Sequence, residues 1–176
     1  MPRRLLNNWV FDWAETIIVA LVLALVIRAF FLQVFWIPSG SMEPTLDISD
    51  RIVVNKIIYN FRPPQRFEIM VFRGVPTMGE QKRDLIKRVV GLPGETLEVK
   101  DGVININGEP VTTEAHELNQ DYANYGPIQI PADSFFVMGD NRPASADSRY
   151  WGFLPRKNLI GKAFLRIWPL TKLGPI

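Results

Sequence analysis

Residues 16–27 (TIIVALVLALVI) form a run with no charge and one hydroxyl. Arg28 follows, and then AFFLQVFWI, polar only at Gln33. A membrane-spanning helix needs about 20 mostly apolar residues. Residues 10–31 supply that length with Asp12, Glu15 and Arg28 toward the ends. An arginine at the bilayer centre costs about 2.5–3.5 kcal/mol on insertion scales, and far less near an interface where it snorkels. Trp9, Trp13 and Phe30 stand where interfacial aromatics belong. A buried core helix or a cleaved targeting segment would share this composition. However, no small-x-small site follows the apolar core, and the chain runs straight on into FWIPSGSM. The expectation is a retained anchor in contact with membrane lipid. Arg3 and Arg4 precede the run and argue for a cytoplasmic N-terminus, with Arg28 pulling weakly the other way.

Beyond Ile37 the pattern turns strand-like. Residues 51–58 (RIVVNKII), 67–72 (FEIMVF) and 84–90 (DLIKRVV) are rich in β-branched and apolar side chains. Residues 96–100 alternate, Asp101-Gly102 reads as a hairpin turn into VININ, and Asn107-Gly108 gives another turn. Residues 134–138 (SFFVM) and 158–168 (NLIGKAFLRIW) complete the set. The prolines and glycines fall mostly between these runs, and no useful helical periodicity follows the anchor. The fold class expected is mainly β: an antiparallel β-sheet domain over residues 34–176 behind an anchor at 1–33. Residues 101–130 are expected to form a small excursion, with 109–129 polar and irregular.

Composition removes several chemistries. The 176 residues include no cysteine and one histidine, His116. A thiol nucleophile, a thiolate zinc site and a histidine-built metal site therefore fall away, and no cofactor is expected. The net charge of +2 comes from 20 basic and 18 acidic residues scattered along the chain. A nucleic-acid partner would demand a clustered basic face, so none is expected.

Three constellations carry reactive groups. In residues 38–46 (PSGSMEPTL) two serines flank a glycine, which permits a sharp turn with exposed backbone N–H groups. Such a turn can present a hydroxyl and an oxyanion hole together, or it can simply be a loop. A serine hydroxyl also needs a base. His116 sits in the polar stretch TTEAHELNQ and reads as a surface residue, which leaves lysines. Alternation places Leu85, Lys87 and Val89 on one strand face. Burial there would disfavour the ammonium and lower its pKa from about 10.4. The plainer reading makes Lys87 the polar face of an edge strand. Finally, residues 138–152 pack Asp140, Arg142, Asp147 and Arg149 between apolar runs. They form either a partly buried ionic network or a solvated loop with surface pairs.

Together these segments resemble the type I signal peptidases of bacteria and their thylakoid relatives. The order is the family's: anchor, PSGSMEPTL, SDRIVVNK (49–56), KRVVGLPGETLEV (87–99) and GDNRPASADSRYWG (139–152). The resemblance covers essentially the whole chain. It implies a membrane-bound serine endopeptidase that removes signal peptides from exported preproteins after small-x-small sequences. Ser41 matches the nucleophile and Lys87 the general base. Ser39 matches the residue whose side chain completes an oxyanion hole with the Ser41 N–H. Ser145 matches the serine that hydrogen-bonds the lysine amine. Asp140 with Arg88, and Asp147 with Arg149, match bracing ion pairs. Phe35, Ile37, Met42, Leu46 and Ile86 fall where the family lines its substrate pockets. The catalytic domain is expected on the extracytoplasmic side of a plasma or thylakoid membrane. Pro143-Ala144 departs from the family's frequent Asp-Asn, away from the catalytic positions. The short segment between the lysine and GDN motifs resembles the compact members. One rival is the class of soluble, self-cleaving serine–lysine regulators, and the anchor and the absence of a basic helix argue against it; a non-enzymatic, membrane-tethered β module and a triad built on His116 are the others.

Overall fold

The computed structural model describes residues 3–75, 83–111, 121–122 and 124–176; His116 lies outside them. Helix α1 runs Arg3–Phe30 without a break. Its stretch Phe11–Phe30 has a mean hydropathy of 2.1, and none of it is buried by the rest of the chain. Twenty helical residues rise about 30 Å, the thickness of a bilayer's hydrocarbon core. Thr16 returns its hydroxyl to Asp12 O at 2.8 Å, so the helix satisfies its own polar group. Among the described residues this is the one helix long and apolar enough to cross a membrane.

Sheet structure starts sooner than the sequence pattern suggests. Strand β1 (Leu32–Trp36) follows the helix after one residue. It pairs antiparallel with β2 (Arg51–Asn55), from Leu32 opposite Asn55 to Trp36 opposite Arg51. The continuous apolar run hid this boundary, because periodicity does not separate the end of a helix from an aromatic strand. Lys56 closes the junction. Its Nζ donates to Ala29 O at 2.8 Å and its backbone N–H to Phe31 O at 2.9 Å, capping helix-end carbonyls that have no partner of their own.

The chain continues through α2 (Ile58–Phe61), β3 (Ile69–Arg73), β4 (Asp84–Gly91), β5 (Thr96–Lys100), β6 (Val103–Ile106), β7 (Glu109–Val111), β8 (Tyr125–Gln129), β9 (Ser134–Met138), α3 (Ser148–Trp151), β10 (Leu154–Pro155), β11 (Leu159–Trp168) and β12 (Gly174–Pro175). One sheet has the order β1-β2-β11-β3-β4-β9-β10, with β12 added to β11. A second, four-stranded sheet has the order β7-β6-β5-β8. Every pairing between described strands is antiparallel. The fold is thus mainly antiparallel β with one long N-terminal helix. Strands β7 and β8 fall within residues 109–129, expected to be irregular. Pro110, Gly126 and Pro127 masked the strand pattern there.

Strand β3 explains the layering. Met70 and Phe72 enter one apolar cluster with Val89, Phe135 and Val137, while Ile69 and Val71 enter another with Ile37, Met42, Leu46 and Ile52. Alternation sends successive side chains to opposite faces, so a strand buried on both reads as an unbroken apolar run. A third cluster packs Leu97 and Ile104 of the second sheet against Phe136 of β9 in the first.

Gly161 sits at a register shift between β11 and β3. A Cβ there would collide with the backbone oxygen of Asn55. Gly161→Ala should therefore cost about 1–3 kcal/mol, seen as a lower unfolding midpoint in detergent. An unchanged midpoint would show that β2 and β11 are not so tightly apposed.

Candidate active site

The chain leaves β1 at Ile37, which is tied to the segment before β2 by Ile37 N–Asp50 O (2.9 Å) and Ser49 N–Ile37 O (2.8 Å). It then makes one 3-10 turn over Gly40–Met42, closed by Glu43 N donating to Gly40 O at 3.1 Å. Met42 and Leu46 are fully buried and fix this turn against the sheet. Ser41 is thereby held beside β4.

Lys87 lies in β4, opposite Met70 in β3. Leu85 and Val89 flank it and join the same apolar cluster as Met70. Lys87 is 3% exposed, and its Nζ lies 2.7 Å from Ser41 Oγ. A second bond runs from Nζ to Ile86 O at 3.0 Å. Burial lowers the amine's pKa to about 8, against an opposing pull from Asp147 and Asp140. A drop from 10.5 to about 8 corresponds to roughly 3 kcal/mol. Because the folded-state pKa lies below the unfolded one, the folded chain binds fewer protons between those values. Stability therefore rises with pH across that window, and below pH 8 the buried charge is a standing cost. In the neutral amine the 2.7 Å contact runs from the serine hydroxyl to the nitrogen lone pair.

Arg88 points to the opposite face and grips Asp140 with two bonds, Nε–Oδ1 at 2.8 Å and Nη2–Oδ2 at 2.6 Å. Asp140 is buried, and Thr45 donates to its Oδ2 at 2.6 Å. Arg88 Nη1 also donates to the carbonyl of Phe67 at 2.8 Å. Phe67 is held at φ 70°, an uncommon value for a bulky residue. Asp147 is fully buried and receives Arg149 Nε at 2.8 Å, Arg149 Nη2 at 2.9 Å and Gly139 N at 3.1 Å. Both expected ion pairs are formed.

Other expected residues are placed differently. Ser145 is buried beside Gly139, but its Oγ makes no hydrogen bond, so the expected bond to the lysine amine is not formed. The amine's second contact goes to Ile86 O instead, a carbonyl fixed by the strand itself. Ser39 is exposed, extended (φ −143°, ψ 156°), and makes no side-chain bond to the turn it precedes. Ile37, Met42 and Leu46 are buried in one apolar cluster, and Phe35 and Ile86 are half-buried against it.

The sequence reading gave several residues no partner. Thr45 bridges the loop that holds Ser41 to Asp140. Asn141 Nδ2 donates to Gly40 O at 3.0 Å, and Asn141 N to Ser41 O at 3.2 Å. Arg142 is buried, donates from Nε to Gly139 O at 3.1 Å, and has a pKa lowered to about 10 by burial and by nearby Arg149. Asp121 pairs with Arg149 from the segment before β8. These residues lie inside or near the motifs, but a string does not reveal which way a loop side chain points. Among the described residues no group of His, Asp and Glu is arranged to hold a metal.

Residues 10–168 match the family described as Signal peptidase, peptidase S26. The chain belongs to that family. It is similar to a Signal peptidase I of Leptolyngbya laminosa, 47% identical over 92% of this chain and 81% of that one. It is also similar to a Probable signal peptidase I-2 of Synechocystis sp., 42% identical over 96% and 77%. A Probable thylakoidal processing peptidase 2 of Arabidopsis thaliana is 36% identical over 93% of this chain and 45% of that one. Membership makes the chain a serine peptidase and hence a hydrolase. Against that background the 2.7 Å pair is the place to look for its chemistry.

The GDN loop reaches that pair through Gly139. A Cβ there would strike the Ser41 carbonyl oxygen and the Ser145 side chain. A misplacement of about 1 Å at a reacting group costs about 100-fold. Gly139→Ala should therefore lower the peptide-cleavage rate by about that factor, measured with a fluorogenic peptide. A rate equal to the parent's would contradict this packing.

Proposed function

We propose that this peptidase removes N-terminal signal peptides from exported preproteins, with Ser41 as nucleophile and Lys87 as general base. The observation that carries the reading is the buried amine 2.7 Å from a hydroxyl at the head of a glycine turn. Neutral Lys87 takes the proton of Ser41 as Oγ bonds to the scissile carbonyl carbon. The carbonyl π electrons move to oxygen. That oxyanion is met by the Ser41 N–H and the Ser39 hydroxyl, and one such donor is worth about 2.7–4 kcal/mol. The C–N bond then breaks, the ammonium of Lys87 returns its proton to the leaving amine, and an acyl-enzyme remains. A water deprotonated by Lys87 releases it. Ser145 is assigned a supporting place behind the amine, and the Arg88–Asp140 and Arg149–Asp147 pairs keep both loops in register.

Substrate binding follows from the strand order. Pairing of β4 with β9 begins at Arg88, so among the described residues 84–87 are paired on the β3 side alone. An extended peptide can add to that edge with backbone bonds that ignore sequence. Selection for small-x-small residues then comes from shallow pockets at Phe35 and Ile86, backed by Ile37, Met42 and Leu46, where bulky side chains clash. The anchor, residues 1–33, holds the peptidase domain, 34–176 with its excursion at 101–130, at the surface where a preprotein's own apolar segment lies. The N-terminus is assigned to the cytoplasm and the domain to the far side of a plasma or thylakoid membrane.

Ser41→Ala and Lys87→Ala should each abolish preprotein cleavage while the chain stays folded. Normal processing by either would contradict the mechanism. The neutral amine is the active form, so kcat/KM should rise with pH through a midpoint near 8. A flat profile over that region would exclude a titrating lysine.

A further inference from the structure

Asn141 stands between two residues that brace the site, Asp140 and Arg142, but its own side chain does something else. It reaches a residue 101 positions earlier, donating from Nδ2 to Gly40 O at 3.0 Å. Its backbone N–H takes the next carbonyl, Ser41 O, at 3.2 Å. One residue thus holds two successive carbonyls of the nucleophile turn.

The first bond bears on the peptide group linking Gly40 to Ser41. That group is planar and trans, so its carbonyl and its N–H point in opposite directions. The carbonyl belongs to Gly40 and the N–H to Ser41. Fixing one therefore aims the other. The turn's own closing bond uses Glu43 N and ends on the same Gly40 oxygen, so the Ser41 N–H is not consumed by it. Glycine rotates its backbone at little steric cost, so an unrestrained Gly40–Ser41 peptide is the part of the turn most free to tilt. A bond accepted at the carbonyl also polarises the N–H across the amide.

We propose that Asn141 is a positioning residue that aims the Ser41 N–H at the oxygen of the scissile carbonyl as it becomes an oxyanion. The proposal rests on the reading of Ser41 as nucleophile. It separates Asn141 from its neighbours: Arg88–Asp140 and Asp147–Arg149 hold strands and loops together, whereas Asn141 acts on one peptide plane. Its contribution falls in the transition state, because a ground-state carbonyl needs the donor less than an oxyanion does.

The test uses the full chain in detergent, with Asn141→Ala and the near-isosteric Asn141→Leu. Both retain the backbone bond to Ser41 O and lose the side-chain donor, and the leucine variant serves if the alanine variant unfolds. Removing an oxyanion donor outright costs about 10²–10³-fold, so misaiming one should lower kcat by about 10–100-fold with KM within about twofold. The acid limb of kcat/KM, which reports the lysine, should stay where it is. A peptide aldehyde adds the Ser41 hydroxyl across its carbonyl and so places an oxygen in the hole. Its affinity should fall by the same factor as kcat/KM, while that of an uncleavable peptide stays unchanged. Parent-like kcat, a loss confined to KM, a shifted acid limb, or undiminished aldehyde affinity would each overturn the proposal. If Ser41→Ala is inactive and the Asn141 variants are fully active, Asn141 alone is misread. If Ser41→Ala still cleaves, the nucleophile reading fails and the proposal with it.

Discussion

A primary amine kept out of water against a serine hydroxyl is the constraint on which the rest of the structure depends. An ammonium is an expensive group to bury, and among the described residues no carboxylate pairs with Lys87 to compensate it. Its nearest partners are neutral, Ser41 Oγ and Ile86 O. Asp140 and Asp147 act on it from a distance, and each is already gripped by an arginine. Their negative charge is spent on Arg88 and Arg149, so the amine feels burial more than attraction. The apolar strands β3, β4 and β9 supply that burial. A chain with one histidine and no cysteine thereby has, on the proposed mechanism, a base that works near neutrality.

The same arrangement explains why distant parts of the chain are tied so tightly. Ser41 comes from a turn behind β1, Lys87 from the middle of β4, and the clamps from the loop after β9. Sheet pairing brings β4 and β9 together, and hydrogen bonds from Thr45 and Asn141 join the loop to the turn, while Arg142 ties the loop to itself at Gly139 O. Removing one member leaves a buried charge or carbonyl without its partner, which costs about 1–3 kcal/mol or more. Placement of Ser41 and stability of the domain are thus served by the same bonds. The standing cost of the buried, protonated Lys87 below pH 8 is the part of that balance that the proposed mechanism requires.

Much of this was legible in the residues. The uncharged run marked α1 because a bilayer imposes a length on any chain that crosses it. The apolar strings around Lys87 and in SFFVM marked buried strands, and the alternation Leu85-Lys87-Val89 placed the lysine on an apolar face. Both ion pairs, Arg88 with Asp140 and Arg149 with Asp147, were expected from the family resemblance, because the residues of 138–152 alone left open whether they form a buried network or a solvated loop. Other features left no periodic trace. Strand β1 continued the helix's apolar composition, and β8 was broken by glycine and proline. Ser145 was expected at the amine, but only coordinates reveal that its hydroxyl makes no hydrogen bond and that the amine's second contact is a backbone carbonyl. Thr45 and Asn141 read as ordinary loop residues until the far segments that they touch are brought beside them.

The central claim is that Lys87 is uncharged, or easily made so, near neutral pH while bonded to Ser41. NMR titration of a chain carrying isotope-labelled lysine side chains measures this directly. The Lys87 signal is assigned by its loss in Lys87→Arg. The account predicts a midpoint near 8, well separated from the other lysines. A midpoint at the ordinary lysine value of about 10.4 would contradict it.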